Sequence, residues 1–416
     1  MKNFIILAVL LLGLVCPLAA YNTGKSILHA DSYMLRAQGV EAAYWNPANL
    51  IPTKHIDFWV PGLNTGVTVT NNSFDLDTYN YIMGLSFLED SDKQLILDKM
   101  DGSLRTDVEG NTSLIGFTVG NMSFSSSVHY MSKLSLSERY LELLLYGNTD
   151  TLYVFDKSNT DFKALSYVDI TFGAGGFRLP LLPEGFPEIR TGFSVSALVG
   201  LASAQTERFD GYFRSGWNGV NLHQDIQLRT GMGGYGHKAM LGVAADLMDN
   251  LEVGLTLDNL WGKITWSAVS EDVSIKVDAD SVYIANIDDD FYTESSERVS
   301  IDPFATELPP ELRLAALYSQ KNYNVSADYV QAFKNSAATS KIGKLSLGAQ
   351  LFPVPFLPLN FGLGIGNGEH PWRASYGFGL KSKGSEFGFS VQSVDSLFPS
   401  YKSKGVSFGS YIRLWI

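Results

Sequence analysis

Residues 251–258 read LEVGLTLD. Leu251, Val253, Leu255 and Leu257 lie on one side of this run, and Glu252, Gly254, Thr256 and Asp258 on the other. Successive side chains of an extended strand point to opposite faces of a sheet. The run is therefore a strand with one apolar face and one polar or small face. The pattern repeats. Across residues 165–174, Val168, Ile170, Phe172 and Ala174 oppose Tyr167, Asp169, Thr171 and Gly173. Across residues 359–366, Leu359, Phe361, Leu363 and Ile365 oppose Asn360, Gly362, Gly364 and Gly366. A water-soluble β-sandwich alternates in the same way, so the choice between sandwich and barrel rests on the joins.

Strand patterns occupy residues 57–70, 113–119, 122–133, 165–176, 189–204, 237–247, 251–264, 311–319, 323–333, 344–352, 359–366, 372–381, 386–393 and 404–416. Tight turns at Gly120-Asn121, Asp249-Asn250, Lys321-Asn322 and Ser382–Gly384 alternate with long connections, as do Pro-rich links at 179–187 and 352–358. The long connections are residues 71–112, 134–164, 205–236, 265–310, 334–343, 367–371 and 394–403. Every short join falls on the side of the C-terminus. Outer-membrane barrels have short periplasmic turns, long external loops and an even strand number, whereas a sandwich has no reason to obey that parity. The expected fold is all-β, an antiparallel transmembrane β-barrel of about fourteen strands over residues 57–416.

The composition agrees. Of 416 residues, 45% are hydrophobic and 18% charged, against roughly a quarter charged in an ordinary soluble domain. Mean hydropathy is only +0.03, because apolar residues facing lipid alternate with Gly, Ser and Thr facing inward. A net charge of -12 argues against a nucleic-acid partner. Trp59, Trp261, Trp372 and Trp415 fall at or near strand ends, where an aromatic girdle is expected.

Residues 1–20 read MKNFIILAVLLLGLVCPLAA, the pattern of a secretory signal peptide cleaved after Ala20. Cys16 is the only cysteine, and Val15 stands where lipoprotein processing requires a small residue. Once Cys16 leaves with the signal, disulfides and zinc–thiolate sites are excluded. No other segment approaches the ~18 consecutive apolar residues of a transmembrane helix. An exported chain without one can still span a membrane as a closed barrel. The expected location is the outer membrane of a Gram-negative-type bacterium, with the lipid bilayer as partner.

Residues 36–52 read RAQGVEAAYWNPANLIP. They form neither an amphipathic helix nor an alternating strand, and Asn46-Pro47 favours a turn. The motif resembles the N-terminal segment of FadL-like outer-membrane proteins, which include long-chain fatty acid transporters and PorV-type barrels. Arg36, Gly39, Asn46, Pro47 and Ala48 match its Arg, Gly and Asn-Pro-Ala elements. Further resemblances are residues 308–318, residues 253–266 and the final strand GVSFGSYIRLWI, which is similar to the signal read by the outer-membrane assembly machinery. The resemblance implies a fourteen-strand barrel with residues 21–56 folded inside as a hatch. It implies passive uptake of hydrophobic small molecules or, alternatively, a docking barrel that holds a surface protein. In the transporters a kink in the third strand opens the wall. Residues 122–133 have no internal Gly or Pro, and the nearest candidate for a wall opening is Gly173, Gly175 and Gly176.

Two long connections carry helical patterns, residues 92–100 and 137–147. Leu141, Leu144 and Leu145 share a helical face, and with Leu95 they are candidates for an apolar ligand-binding site. Alternation turns Arg190, Arg313, Arg373, Arg413, Asp169, Asp246, Glu252, Asp258 and Asp328 inward. There they are expected to pair with each other or with the hatch, where Arg36 and Glu41 are candidate partners. Asp278, Asp280 and Asp288–Asp290 lack calcium-loop spacing. The letters of GMGGYG, residues 231–236, fit a dinucleotide fingerprint, but no βαβ unit surrounds them. The six histidines show no metal-ligand spacing, and no catalytic triad or zinc motif is present. No enzyme activity, cofactor or metal is expected.

Overall fold

The computed structural model describes residues 23–147, 151–179, 187–217, 219–282, 292–337, 339–366 and 372–416. The expected signal peptide over residues 1–20, with Cys16, and residues Asp288–Asp290 and most of the 179–187 link lie outside the described residues. The strands are β1 (Asp57–Trp59), β2 (Thr65–Asn71), β3 (Ser103–Val119), β4 (Met122–Ser137), β5 (Leu152–Asp156), β6 (Asp161–Arg178), β7 (Ile189–Gly216), β8 (Gly219–Met248) and β9 (Leu251–Val282). They continue as β10 (Tyr292–Ser300), β11 (Phe304–Glu307), β12 (Glu311–Ser319), β13 (Tyr323–Ala332), β14 (Lys344–Val354), β15 (Leu357–Ile365), β16 (Trp372–Lys381), β17 (Ser385–Val394) and β18 (Gly405–Trp415).

All eighteen belong to one antiparallel sheet. Pairing passes from β2 through β3, β4, β6, β7, β8, β9 and β12 onward to β18, which pairs back to β2. The sheet is ring-like and leaves this circuit no open edge.

The strand number differs from the expected fourteen. β1 and β2 read as one run, but residues 60–64 break it. β5 and β11 are too short to show a period, and β10 (YTESSERVS) has no apolar alternation to detect. The connections 205–236 and 265–282 are also not loops. β7, β8 and β9 run on for 28, 30 and 32 residues, far beyond the ~10 residues a tilted strand needs to cross a bilayer. Their upper parts form a blade, edged by β5 and β10.

The faces separate as the alternation requires. Phe361, Phe378, Phe389 and Phe408 are exposed on the outside, while Asn360, Ser375, Ser390 and Ser407 are buried inside. An outer apolar face of this extent belongs in lipid, and a ring without an edge is how sheets cross outer membranes. Among the described residues no helix is long and apolar enough to cross a membrane. Trp261 is exposed at a bend of β9, but Trp59 is only 7% exposed and stacks on Tyr44 at 5.8 Å, so it belongs to the interior and not to a girdle.

Residues 23–50 are almost wholly buried and touch strands around the ring. They fold as α1 (Gly24–Leu28), a 3₁₀ turn at Gly39–Glu41, α2 (Ala42–Trp45) and a second 3₁₀ turn at Pro47–Asn49. Outside the wall lie α3 (Leu76–Gly84), α4 (Asp90–Asp98) and α5 (Glu138–Tyr146).

Candidate functional site

The interior has two layers. The lower one is the seat of residues 23–59. Thr23 Oγ1 caps α1 by accepting from Ser26 N at 3.2 Å. Asn46 Oδ1 accepts from Ala48 N at 3.1 Å, and its Nδ2 donates to the Val243 carbonyl at 3.2 Å. Pro47 follows at the first position of the turn, where its missing N–H costs nothing. Gly39 has φ +60°, and a Cβ there would lie 2.7 Å from Asp57 Oδ2. Ala48 is fully buried. Arg36 donates to Ser326 Oγ at 2.9 Å, to Asn324 Oδ1 and to the Gly348 carbonyl at 3.3 Å.

The three candidate wall glycines share this seat. A Cβ on Gly173 would lie 2.8 Å from Ala43 Cβ, one on Gly176 2.6 Å from the Leu50 carbonyl, and one on Gly175 would overlap the Pro47 carbonyl. Gly192 of β7 meets Pro47 in the same way. The glycines let the N-terminal segment approach the wall backbone to backbone. β6 also shifts register against β7 between Ala174 and Phe177.

Charges complete the lower layer. Lys25 bridges Glu386 at 3.2 Å and Glu41 at 3.7 Å. Asp31 faces Lys344 and, at 3.6 Å, Arg373. Asp57 pairs with Arg413 at 3.0 Å. Asp328 accepts from Ser32 Oγ at 2.9 Å and Met34 N at 3.0 Å. Arg190 pairs with Asp246 at 3.1 Å and with Glu252. The Arg313 guanidinium lies 4.3 Å from the Trp45 ring centroid. The inward charges thus meet each other and the N-terminal segment, although the recorded hydrogen bonds of Arg36 go to neutral groups.

One constellation was not singled out by sequence reasoning. His129 Nε2 lies 2.8 Å from Asp169 Oδ2, and Asn111 Nδ2 lies 3.2 Å from His129 Nδ1. Tyr44 donates to Asp169 Oδ1 at 3.0 Å, and Ser127 N donates to the same oxygen at 3.0 Å. Alternation could place His129 and Asp169 inward, but only the β4–β6 register, with Ser127 opposite Asp169, brings them together.

The upper layer is apolar. Met131, Leu165, Tyr167, Leu198, Ile264, Trp266, Leu308 and Ala337 form one buried cluster. Trp266 fills the gap left by three glycines. A Cβ on Gly200, Gly231 or Gly234 would lie 2.7, 2.6 or 3.0 Å from its ring. Its Nε1 donates to Thr306 Oγ1 at 2.9 Å. The GMGGYG letters are thus part of an indole cradle in β8. Beside the cluster, β9 bends. Asn259 and Trp261 have φ +56° and +55°. β9 pairs with β12 as far as Asp258 and with β11 only from Lys263. Between those points the seam is held by Leu308 N donating to the Gly262 carbonyl at 2.9 Å and Asn259 Nδ2 donating to the Pro309 carbonyl at 3.2 Å.

The loop helices form where the pattern placed them, at Asp90–Asp98 and Glu138–Tyr146. The groove between them is polar, lined by Gln94, Asp98, Glu138, Arg139 and Glu142. None of Leu95, Leu141, Leu144 and Leu145 lines it. Asp75 caps α3. Burial opposes its ionisation, but bonds from the Thr78 hydroxyl and amide and from Lys99 outweigh this and hold its carboxyl below the usual range. Among the described residues no group of three or more His, Cys, Asp or Glu could hold a metal ion.

Residues 47–389 match the model of a family of unknown function, DUF5723. The chain belongs to the DUF5723 family. No curated protein sequence matches this DUF5723 chain. Among solved structures, it is similar to the toluene transporter TbuX of Ralstonia pickettii, with a TM-score of 0.50 and 12% identity, covering 90% of this chain and 93% of that one. It is also similar to the toluene transporter TodX of Pseudomonas putida, with a TM-score of 0.50 and 11% identity, covering 96% and 95%. At such identities the likeness is one of fold. The fold of this DUF5723 member is FadL-like.

Proposed function

We propose that this protein is a passive outer-membrane channel for hydrophobic small molecules, of the fatty-acid-transporter type, and carries out no chemistry. In this reading residues 57–416 are a transmembrane β-barrel, entered after removal of a signal peptide over residues 1–20. The membrane wall is the circuit of strands that omits β1, β5, β10 and β11, which has fourteen members. Residues 21–56 are its hatch, with Arg36, Gly39, Asn46, Pro47 and Ala48 as the motif that seats it. β18 is the strand offered to the assembly machinery.

The observation that carries the reading is the apolar cluster inside the ring. Inward positions elsewhere in the wall are mostly polar or small, with Trp59, Met240 and Tyr411 packed against the N-terminal segment or its neighbours, and the cluster lies apart from that segment. The two toluene transporters of the same fold give a precedent for an apolar cargo. A molecule could leave sideways at either of two places. The row Gly173, Gly175 and Gly176 opens only if the hatch withdraws from it. The β9–β12 seam needs no such movement, because Leu308 faces the cluster and Trp261 faces outward beside it. Leu95, Leu141, Leu144 and Leu145 would serve as a first apolar contact at the mouth.

A docking role is favoured by one feature, the blade of β7, β8, β9 and β10 with Trp217, 97% exposed, at the β7–β8 tip. The test is uptake of a labelled neutral hydrocarbon by a host lacking its own hydrophobic-solute channel. Expression of the chain is expected to raise the uptake rate several-fold. A rate equal to that of the empty host, with the protein folded in the outer membrane, would overturn the channel reading in favour of docking.

A further inference from the structure

Above the apolar cluster, at the end away from the short turns, lies a cavity of about 440 Å³. Arg105, Lys133, Lys157, Lys163 and Lys341 line it, with Asp107 and Asp161 as its carboxylates. This cationic excess stands in a chain of net charge -12. Lys133 and Lys163 are directly opposite each other on β4 and β6. Like charges in that position destabilise a strand pair unless other charges stand beside them. Asp161 lies 2.8 Å from Lys163 and Asp107 stands opposite Lys133 on β3, which leaves the excess of positive charge to Arg105, Lys157 and Lys341.

The next inward pair on the same two strands is Met131 opposite Leu165, both in the buried cluster. Ala337 of the cluster belongs to the loop that supplies Asn335, Ser336, Thr339 and Lys341 to the cavity. A cationic layer therefore lies directly on an apolar one. The Asn335 amide and the Ser340 hydroxyl also line it, whereas the Ser135 and Ser158 hydroxyls already donate to the Asn159 carbonyl and to Asp156. Several donors with an excess of cations suit an anion of more than one charge and several oxygens. A phosphate monoester has about two charges near neutral pH and three strong acceptor oxygens, and lysine binds phosphate as a point charge.

We infer that this cavity is a binding site for a dianionic phosphate group, free or as a monoester, with any apolar tail directed down onto Met131 and Leu165. The inference rests on the channel reading only for the fate of the tail. The phosphate group is either the monoester head of a single-chain phosphatidic-acid-type lipid or free phosphate, which has a similar charge and the same acceptor oxygens.

The test uses the purified full chain in a non-ionic detergent, with dodecyl phosphate, dodecanoate, dodecanol and inorganic phosphate as probes. Dodecyl phosphate is expected to bind about tenfold more tightly than dodecanoate or dodecanol. Lys133→Gln with Lys163→Gln is expected to abolish that preference, and raised salt to weaken it in the unaltered protein. Should the double variant fail to fold, Lys341→Gln on the exposed loop and the salt series on the unaltered chain carry the test. Inorganic phosphate that competes at similar concentration identifies free phosphate as the source. Competition only by the tailed compound identifies a lipid headgroup. Equal binding of dodecanoate and dodecyl phosphate, or a preference that survives both substitutions or salt, would overturn the site. Dodecanol binding reports on the apolar cluster by itself, so its loss signals failure of the channel reading instead.

Discussion

The lower and upper halves of the interior are built from the same strands and both bury apolar clusters, but only the lower one adds to them a network of directed polar bonds. Below, residues 23–59 are tied to the wall by Lys25–Glu386, Asp31–Arg373, Asp57–Arg413 and the bonds to Asp328 and Asp169. Glycines let backbone meet backbone there. Above, the packing is side chain on side chain around Trp266, next to a bend in β9 where strand pairing lapses. Polar bonds have direction and fix one arrangement. Apolar contacts have none and exchange readily for another apolar group. In the channel reading the lower half stays closed, and the upper half is displaced by a ligand of its own polarity.

Substitutions can break this contrast. The largest effect is expected from Trp266→Ala, which leaves an indole-sized void and costs about 3–5 kcal/mol. Hydrocarbon uptake should nonetheless rise, because the plug of the upper layer is gone. Unchanged uptake in a folded variant would show that the cluster does not lie on the path. Gly175→Val attacks the lower layer instead, since its side chain would occupy the place of the Pro47 carbonyl. Overpacking of this kind costs about 1–3 kcal/mol. Residues 23–56 should become open to added protease while heat-modifiable migration of the wall persists, and continued protection would break the assignment of the seat.

Asn46→Ala removes the cap on the Pro47 turn and the bond to Val243, a loss of about 1 kcal/mol. Its signature is a partial version of the Gly175→Val result, with uptake unaltered. Smallest is the effect of Asp75→Asn, outside both layers. The Asp75 carboxyl titrates below its ordinary value of 3.8. Its charge therefore steadies α3 above that value and stops doing so as the pH falls through the lower folded value. Asn caps a helix as well as Asp, so the variant should lose only this acid sensitivity, read as hydrogen exchange at the Thr78 amide.

The difference between the layers also decides what could be read from sequence. Wall strands such as 251–258 and 359–366 announce themselves by a period of two, and the inward carboxylates and arginines follow from it. The motif of Arg36 to Ala48 is visible as letters, and each letter has a place in the seat. The apolar cluster is not visible in the same way. Met131, Leu165, Leu198 and Trp266 stand on four different strands, and a cross-strand register joins them that no single run reveals. The same is true of His129 with Asp169 and of Lys133 with Lys163. The tall ends of β7, β8 and β9 alternate too, as Val273, Ile275 and Val277 against Ser274, Lys276 and Asp278 show, but they lie beyond the length that a membrane-crossing strand needs and so read as connections. Gly200, Gly231 and Gly234 look like breakers or a nucleotide fingerprint until the indole they accommodate is seen.

The central claim is that an apolar molecule occupies the upper layer of the lumen. Photolabelling tests it most directly, with the purified protein irradiated in the presence of a diazirine-bearing alkane and the adducts mapped by mass spectrometry. The account predicts adducts at Met131, Leu165, Leu198 and Ile264–Trp266, competed away by excess unlabelled alkane. Adducts confined to outward residues such as Phe378, Phe389 and Phe408, with none on the cluster, would contradict it.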